Sequence, residues 1–244
     1  MKFTSYASSS RGNVYIISDE QTRILLECGV SFKRLKQLCG YEISGLNACL
    51  ISHEHKDHSA CVEKVIASGV PVYMSNGTAA VLDMSENLLG LAIEAEAGVQ
   101  FSIGTIDIVP FEVMHDAREP LGFVMKSRLD GDILAYAIDT VNIPYVFPGV
   151  NILAVEANFD RAILDRCEKL PEKIRQRIAN SHMEISVLCK CLKRMDLSNC
   201  REIFLLHLSD STSHEGHFIN KVAKSVPKSI KITACGREEK EHGR

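Results

Sequence analysis

The chain has 244 residues, 24% charged and 45% hydrophobic, with 28 basic and 31 acidic side chains for a net charge of −3. That composition excludes a disordered or fibrous polymer, and the charge balance argues against a protein that tracks a long polyanion along a basic stripe. One domain over 1–236 is expected, with a solvated charged tail at 237–244, because α/β folds of ~250 residues often close around a single core.

No apolar run approaches the ~18–20 residues of a membrane helix, and the N-terminus lacks a charged-then-apolar signal pattern, so a cytoplasmic protein without membrane contact is expected. Nine cysteines, an odd number without a CxxC pair, favour a reducing compartment. Basic clusters such as Lys33-Arg34-Lys36 are short, which makes a small or short anionic ligand the easier partner.

In chain order, 13–18 (NVYIIS) and 23–27 (RILLE) read as strands joined by the polar turn Asp19-Glu20-Gln21, after a Ser-rich turn over 8–13. A short helix over SFKRLKQL follows, then a buried strand over 48–53 (ACLISH), a helix after His58 to about residue 68, and a strand over 71–75. FSIGTIDIVPFEVMH alternates with period two, and GFVMKSR and DILAYAID continue it, with turns at Gly104 and Asp130-Gly131. NILAVEA (151–157) is another buried strand, helical periodicity runs over 161–195, and REIFLLHLS (201–209) closes with a strand. In ISVLCKCLKRM, Cys189 and Cys191 fall about 200° apart on a helix and read as structural thiols, not a metal pair. His214 and His217 in STSHEGHF could touch substrate or a further metal, with an exposed loop as the default reading, and Tyr145, Val146 and Phe147 could cover a partner or the pocket, with loop packing as the default.

The sharpest chemical signal is Ser52-His53-Glu54-His55-Lys56-Asp57-His58, between a buried strand and a helix. It gathers imidazole and carboxylate donors of the kind zinc takes at ~2.0–2.2 Å. An extended loop can aim alternate side chains at one point, which a regular helix cannot do at i and i+2. Other donors fall at strand ends: His115 ends FEVMH, Asp139 ends DILAYAID, and His207 lies in IFLLHLS. Each is weak alone and gains weight behind the first motif.

The set His53-x-His55-x-Asp57-His58, His115, Asp139 and His207, in that order, resembles the metallo-β-lactamase superfamily over nearly the whole chain. The resemblance implies an α/β fold, an αββα sandwich with a binuclear metal site at the sheet edges. It assigns one divalent ion to His53, His55 and His115 and the other to Asp57, His58 and His207, with Asp139 bridging. Zinc is the expected metal, and manganese also accepts such donors.

A carboxylate at Asp139, where the lactamases proper carry cysteine, suits two hard cations and phosphate esters, although thioester hydrolases of the glyoxalase II type share it. Ala154-Val155-Glu156-Ala157-Asn158-Phe159 and Ser181-His182-Met183-Glu184 resemble the Glu and His segments of tRNase Z nucleases. A departing alkoxide needs a proton, and an imidazole with a carboxylate partner fits that need. Asp57, Glu156 and His182 are therefore the expected catalytic residues.

Ala7-Ser8-Ser9-Ser10-Arg11-Gly12-Asn13, Leu26-Glu27-Cys28-Gly29 and 115–123 further resemble the YycJ/WalJ-like branch and its short phage relatives. That branch includes 5′-to-3′ DNA exonucleases and lies close to anti-Pycsar phosphodiesterases, which destroy cyclic pyrimidine nucleotides; a homodimer is implied. Glu27 departs from the aspartate common at its position. With no substrate-gripping insertion and little net positive charge, a small cyclic nucleotide is favoured modestly over a DNA or RNA end. Arg11, Lys56, Arg118 and Lys126 could form a local basic rim. Two further activities compete with these, thioester hydrolysis and the sequestration of a nucleotide without turnover.

Overall fold

The computed structural model describes residues 1–40, 43–84 and 90–236, so the expected tail at 237–244 lies outside the described residues. The first sheet contains, side by side, β1 (Lys2–Ser9), β2 (Gly12–Ser18), β3 (Arg23–Leu26), β4 (Ala48–Leu50), β5 (Val72–Met74) and β6 (Ala92–Glu94). The meander β1–β3 is antiparallel and the pairings from β3 to β6 are parallel. The second sheet holds β7 (Phe101–Ile103), β8 (Ile106–Glu112), β9 (Leu121–Ser127), β10 (Ile133–Ala137), β11 (Ile152–Glu156), β12 (Glu202–Leu206) and β13 (Lys231–Ala234). It is antiparallel from β7 to β10 and parallel from β10 to β13.

The central strands β3, β4, β10, β11 and β12 run largely apolar because both faces are covered. Tyr15, Ile17, Ile24, Leu26, Ile152, Ala154, Phe204 and Leu206 fill the space between the sheets with Phe123 and Tyr136. Their neighbours turn the other way, as a period of two requires. Val14, Ile16 and Leu25 pack under α1 (Phe32–Leu38), α3 (Val62–Ala67) and α4 (Asn76–Val81). Leu153, Val155, Ile203 and Leu205 pack under α7 (Ile185–Arg194) and α8 (Glu215–Ala223). The layers are thus helix, sheet, sheet, helix, as the resemblance implies.

Several local expectations need correction. The Ser-rich segment is mostly strand: β1 reaches Ser9, and only Ser10 and Arg11 make the turn to β2. Ser8 and Ser9 are buried there; the Ser8 hydroxyl finds interior partners, and Ser9 Oγ accepts the Arg11 N–H of the turn. The strand at 48–53 ends at Leu50, and the helix after it is split into α2 (Lys56–Ser59) and α3. The long helix over 161–195 is three pieces, α5 (Arg161–Asp165), α6 (Glu172–Ser181) and α7. Pro171 precedes α6, where a missing N–H costs nothing, and His182 is extended at φ −129°. The strands β6 and β13 and the helices α4 and α8 have no counterpart in the periodicity. His214 caps α8 and His217 lies on it, paired with Asp160, so the loop reading of this segment is wrong.

Candidate metal centre

The loop after β4 is held from beneath before it presents any donor. Cys28 N–H donates to the His58 carbonyl at 2.7 Å, the Asn13 amide donates to the Asp57 carbonyl at 3.1 Å, and the Ser59 hydroxyl donates to the Glu54 carbonyl at 2.8 Å. Gly29 is required here, since a Cβ on it would lie 1.6 Å from the Asp57 carbonyl oxygen. The loop can therefore send His53, His55, Asp57 and His58 to one place.

The second sheet supplies the rest from the ends of its strands. His115 follows β8, Asp139 follows β10, Glu156 ends β11 and His207 follows β12. His115 Nδ1–H donates to the Ser181 carbonyl at 2.7 Å, which turns Nε2 inward. His58 Nδ1 faces the buried Glu27 carboxylate at 3.5 Å, leaving its Nε2 inward as well. The His207 backbone N–H donates to Ser8 Oγ at 2.8 Å, tying this strand end to the first sheet.

All seven expected metal-binding residues converge. His53 Nε2 lies 3.0 Å from His55 Nδ1, which lies 3.2 Å from His115 Nε2. Asp57 Oδ2 lies 3.4 Å from His58 Nε2 and 3.2 Å from His207 Nε2. Asp139 Oδ2 stands between the sets, 3.7 Å from His53 Nε2, 3.3 Å from His58 Nε2 and 3.4 Å from His115 Nε2. A tetrahedral ion with ~2.0–2.1 Å bonds separates its ligands by about 3.3 Å, so this spacing fits divalent cations. Asp139 Oδ1 is buried without a hydrogen-bond partner among the described residues, a further sign of a group suited to a cation.

The electrostatics agree. Burial would push the His207 imidazole down, but Asp139, Asp57 and Glu156 push it up to about 10. His58 is likewise held above the usual imidazole range against its burial, chiefly by Asp139. His53, surrounded by apolar atoms and by the imidazoles of His58 and His115, is held well below it. Buried carboxylates thus draw positive charge into the centre, and cations satisfy that demand while leaving the imidazoles neutral.

Glu156 and His182 meet beside this cluster, with His182 Nδ1 at 2.7 Å from Glu156 Oε1. The other Glu156 oxygen accepts the Thr140 N–H at 2.7 Å and the Met183 N–H at 3.2 Å. Asp139, Glu156, His182 and His207 also lie close enough together to share an ion. The contact of Glu27, open at the sequence level, is defined: it accepts the Tyr136 hydroxyl at 2.9 Å and the Ser52 N–H at 3.3 Å.

The expected basic rim is only partly assembled. Arg11, Lys56 and Arg118 sit near the donor loops, but Lys126 lies near the far end of β9. With Leu121 bonded to the Ser52 carbonyl at the near end, five residues of strand put Lys126 roughly 17 Å away. Cys189 and Cys191 pack in the core, as expected of structural thiols. Sequence reasoning missed the Ser8–Tyr15–Asn13 chain behind the centre and Asn158 against His207. It also missed Asp116, 3.2 Å from His115 Nε2, although that carboxylate directly follows a donor.

A family model described as a β-lactamase superfamily domain matches residues 22–208. The chain belongs to this superfamily. Among curated proteins of known name, this β-lactamase superfamily member is 27% identical over 225 residues to exodeoxyribonuclease YycJ of Bacillus anthracis, covering 86% of this chain and 83% of that one. It is 28% identical over 223 residues to exodeoxyribonuclease WalJ of Streptococcus pneumoniae, covering 85% and 81%. Similar folds include the metallo-β-lactamase fold protein YhfI of Bacillus subtilis, with a TM-score of 0.73, 16% identity and 97% of both chains covered. The short form of human tRNase Z superposes with a TM-score of 0.64 at 12% identity, covering 98% of this chain and 97% of that one. The β-lactamase superfamily member described here is a metal-dependent hydrolase, and no helix among its described residues is long and apolar enough to cross a membrane.

Proposed function

We propose that the protein is a two-metal phosphodiesterase acting on nucleotide phosphodiester bonds, with 1–236 forming one hydrolase unit in the cytoplasm. One observation carries the reading: a single Asp139 oxygen stands within 3.3–3.7 Å of His53, His58 and His115 and so reaches both donor sets. His53, His55 and His115 would hold one ion and Asp57, His58 and His207 the other, with Asp139 within reach of both sets. Zinc suits this nitrogen and carboxylate set, and Mn²⁺ is accepted by the same donors. Two such ions supply Lewis acidity and bring the pKa of water toward ~7. Asp57 and Asp139, as carboxylates of the centre, would help orient the attacking water. Glu156 fixes the His182 ring through Nδ1, so that its other nitrogen can protonate the departing oxygen.

A DNA end is the favoured substrate, because the relatives matched over 85–86% of this chain carry the name exodeoxyribonuclease. A cyclic mononucleotide is the second reading. It is favoured by the net charge of −3 and by the Glu54 carboxylate, which accepts the Arg118 backbone N–H and so places negative charge near the donor loop. Exposed Met114, Tyr145 and Val146 suit a homodimer contact, which sedimentation would report as a doubled mass.

The test is one panel of metal-loaded protein against single-stranded and duplex DNA, linear dinucleotides, 3′,5′-cyclic nucleotides, precursor tRNA and a thioester. Mononucleotide release from DNA is expected. Hydrolysis of cyclic nucleotides alone moves the assignment to the second reading, and thioester cleavage without phosphodiester cleavage refutes both.

A further inference from the structure

On the Asp57 side of the metal centre a cleft of about 370 Å³ is lined by the polar residues Ser10, Arg11, Ser31, Lys56 and Asp57, with Gly29, Val30 and Ala60 completing it. Gly29 packs directly on the Asp57 carbonyl. Arg11 occupies the tight turn between β1 and β2, where its N–H donates to Ser9 Oγ at 3.2 Å. Its side chain is 73% exposed, with the guanidinium 3.9 Å from Asp210. Lys56 opens α2 between the donors His55 and Asp57, so its ammonium is tethered one residue from the metal centre. Two cations on separate elements therefore border one concavity, and the carboxylate in its lining among the described residues, Asp57, faces His58 and His207.

We infer that this cleft binds a second phosphate of the substrate, the one next along a nucleic-acid strand from the phosphodiester at the metals. The inference rests on the phosphodiesterase reading above and sharpens it. A guanidinium, an ammonium and serine hydroxyls all offer donors, the chemistry that recognises a phosphate oxygen. A cyclic mononucleotide has one phosphate, which the metal centre itself engages, and leaves the cleft unused. A strand or a terminally phosphorylated end fills both. Recognition of one extra phosphate needs no extended basic stripe, which agrees with the small net charge.

The test uses the metal-loaded full chain and thymidine dinucleotides bearing a 5′-phosphate, a 3′-phosphate or neither. For one of the phosphorylated forms kcat/KM is expected to exceed that of the unphosphorylated form by about tenfold or more. In the Arg11→Ala, Lys56→Ala double variant, with metal content confirmed, that preference collapses to within about twofold, and Arg11→Lys retains most of it. A wild type indifferent to the terminal phosphate, or a double variant that keeps the preference, overturns the inference. If the wild type cleaves none of the dinucleotides, the failure belongs to the substrate reading, and fluorescence anisotropy with labelled phosphorothioate versions decides the cleft separately. Tighter binding of a phosphorylated form that the double variant loses supports the cleft, and equal binding overturns it.

Discussion

Replacing Glu156 by Gln probes the proton-handling pair without changing its volume. Glu156 is fully buried, and one of its oxygens accepts both the Thr140 and the Met183 N–H, at 2.7 and 3.2 Å. Those two donors pin the glutamine oxygen at the same place, so the new NH₂ turns toward His182 Nδ1, which the native carboxylate meets at 2.7 Å. The imidazole must then accept at Nδ1 and carry its proton on the opposite nitrogen, and the charge-assisted bond is lost. Such a bond contributes about 1.5–3 kcal/mol, which at 1.36 kcal/mol per decade is roughly a ten- to hundredfold loss in kcat. Burial lowers the His182 pKa, but Glu156 and Asp139 override it and hold the ring above the usual imidazole range. Without the Glu156 charge the ring gives up its proton at lower pH, so the alkaline fall of kcat begins earlier. The assay is kcat against pH, with metal content by mass spectrometry and a urea unfolding curve alongside. An unchanged kcat at full metal occupancy refutes the role, and so does a loss of activity that merely tracks a loss of metal.

Asp139→Asn is expected to reduce bound metal below two ions per chain and to lower turnover by about a thousandfold or more, read by metal analysis and kinetics. Gly29→Ala should also cost metal, because its Cβ would fall 1.6 Å from the Asp57 carbonyl oxygen and only backbone movement relieves that contact. Asp160 accepts the Ala162 N–H at 2.9 Å as the cap of α5 and pairs with Lys221 and His217, and these partners depress its pKa despite burial. Asp160→Ala is expected to cost about 1–2 kcal/mol at neutral pH. A depressed carboxylate stabilises above its unfolded pKa and ceases to as pH falls through the folded value, so the gap between wild type and variant in urea should narrow below about pH 4. At His207, φ is +54°, so His207→Gly should be more stable than His207→Ala by about 1 kcal/mol in the same assay.

The donor loop is legible in the sequence because its information is local: imidazoles and a carboxylate within six residues, after a strand that its apolar run already marks. Asp139 and His207 are legible only as polar residues ending apolar runs, and the order of the whole set supplies the rest. The supports are not legible, because their partners are remote. Ser8 meets the backbone of His207 across 199 residues, and Tyr136 meets Glu27 across 109, so neither leaves a periodic trace. β1 is hidden for a related reason. Its Ser8 hydroxyl meets Tyr15 and the His207 N–H in the interior, whereas Ser-rich segments elsewhere usually make turns. The start of α8 is hidden because His214 caps it and Gly216 follows in the first turn, so no helical periodicity begins there.

The backbone at the centre explains how donors from two sheets are aimed at one place. Glu27, Asp139 and His207 have φ of +62°, +46° and +54°, and each lies just past the end of a strand: Glu27 directly after β3, His207 directly after β12 and Asp139 two residues beyond β10. For a residue with a Cβ this conformation costs roughly 1–2 kcal/mol, or about 3–6 kcal/mol for the three, a large share of the ~5–15 kcal/mol by which domains are stable. The turn it makes swings each side chain off the line of its strand and into the gap between the sheets. Bonds across that gap hold the strain in place: His207 N–H to Ser8 at 2.8 Å, Tyr136 to Glu27 at 2.9 Å and Leu121 N–H to the Ser52 carbonyl at 2.9 Å. The donor pairs His53–His55, His55–His115, Asp57–His58 and Asp57–His207 stand 3.0–3.4 Å apart, close to tetrahedral spacing. Relaxing one of these turns would stabilise the chain and move a donor or its support, so stability cannot be improved there without loosening the site.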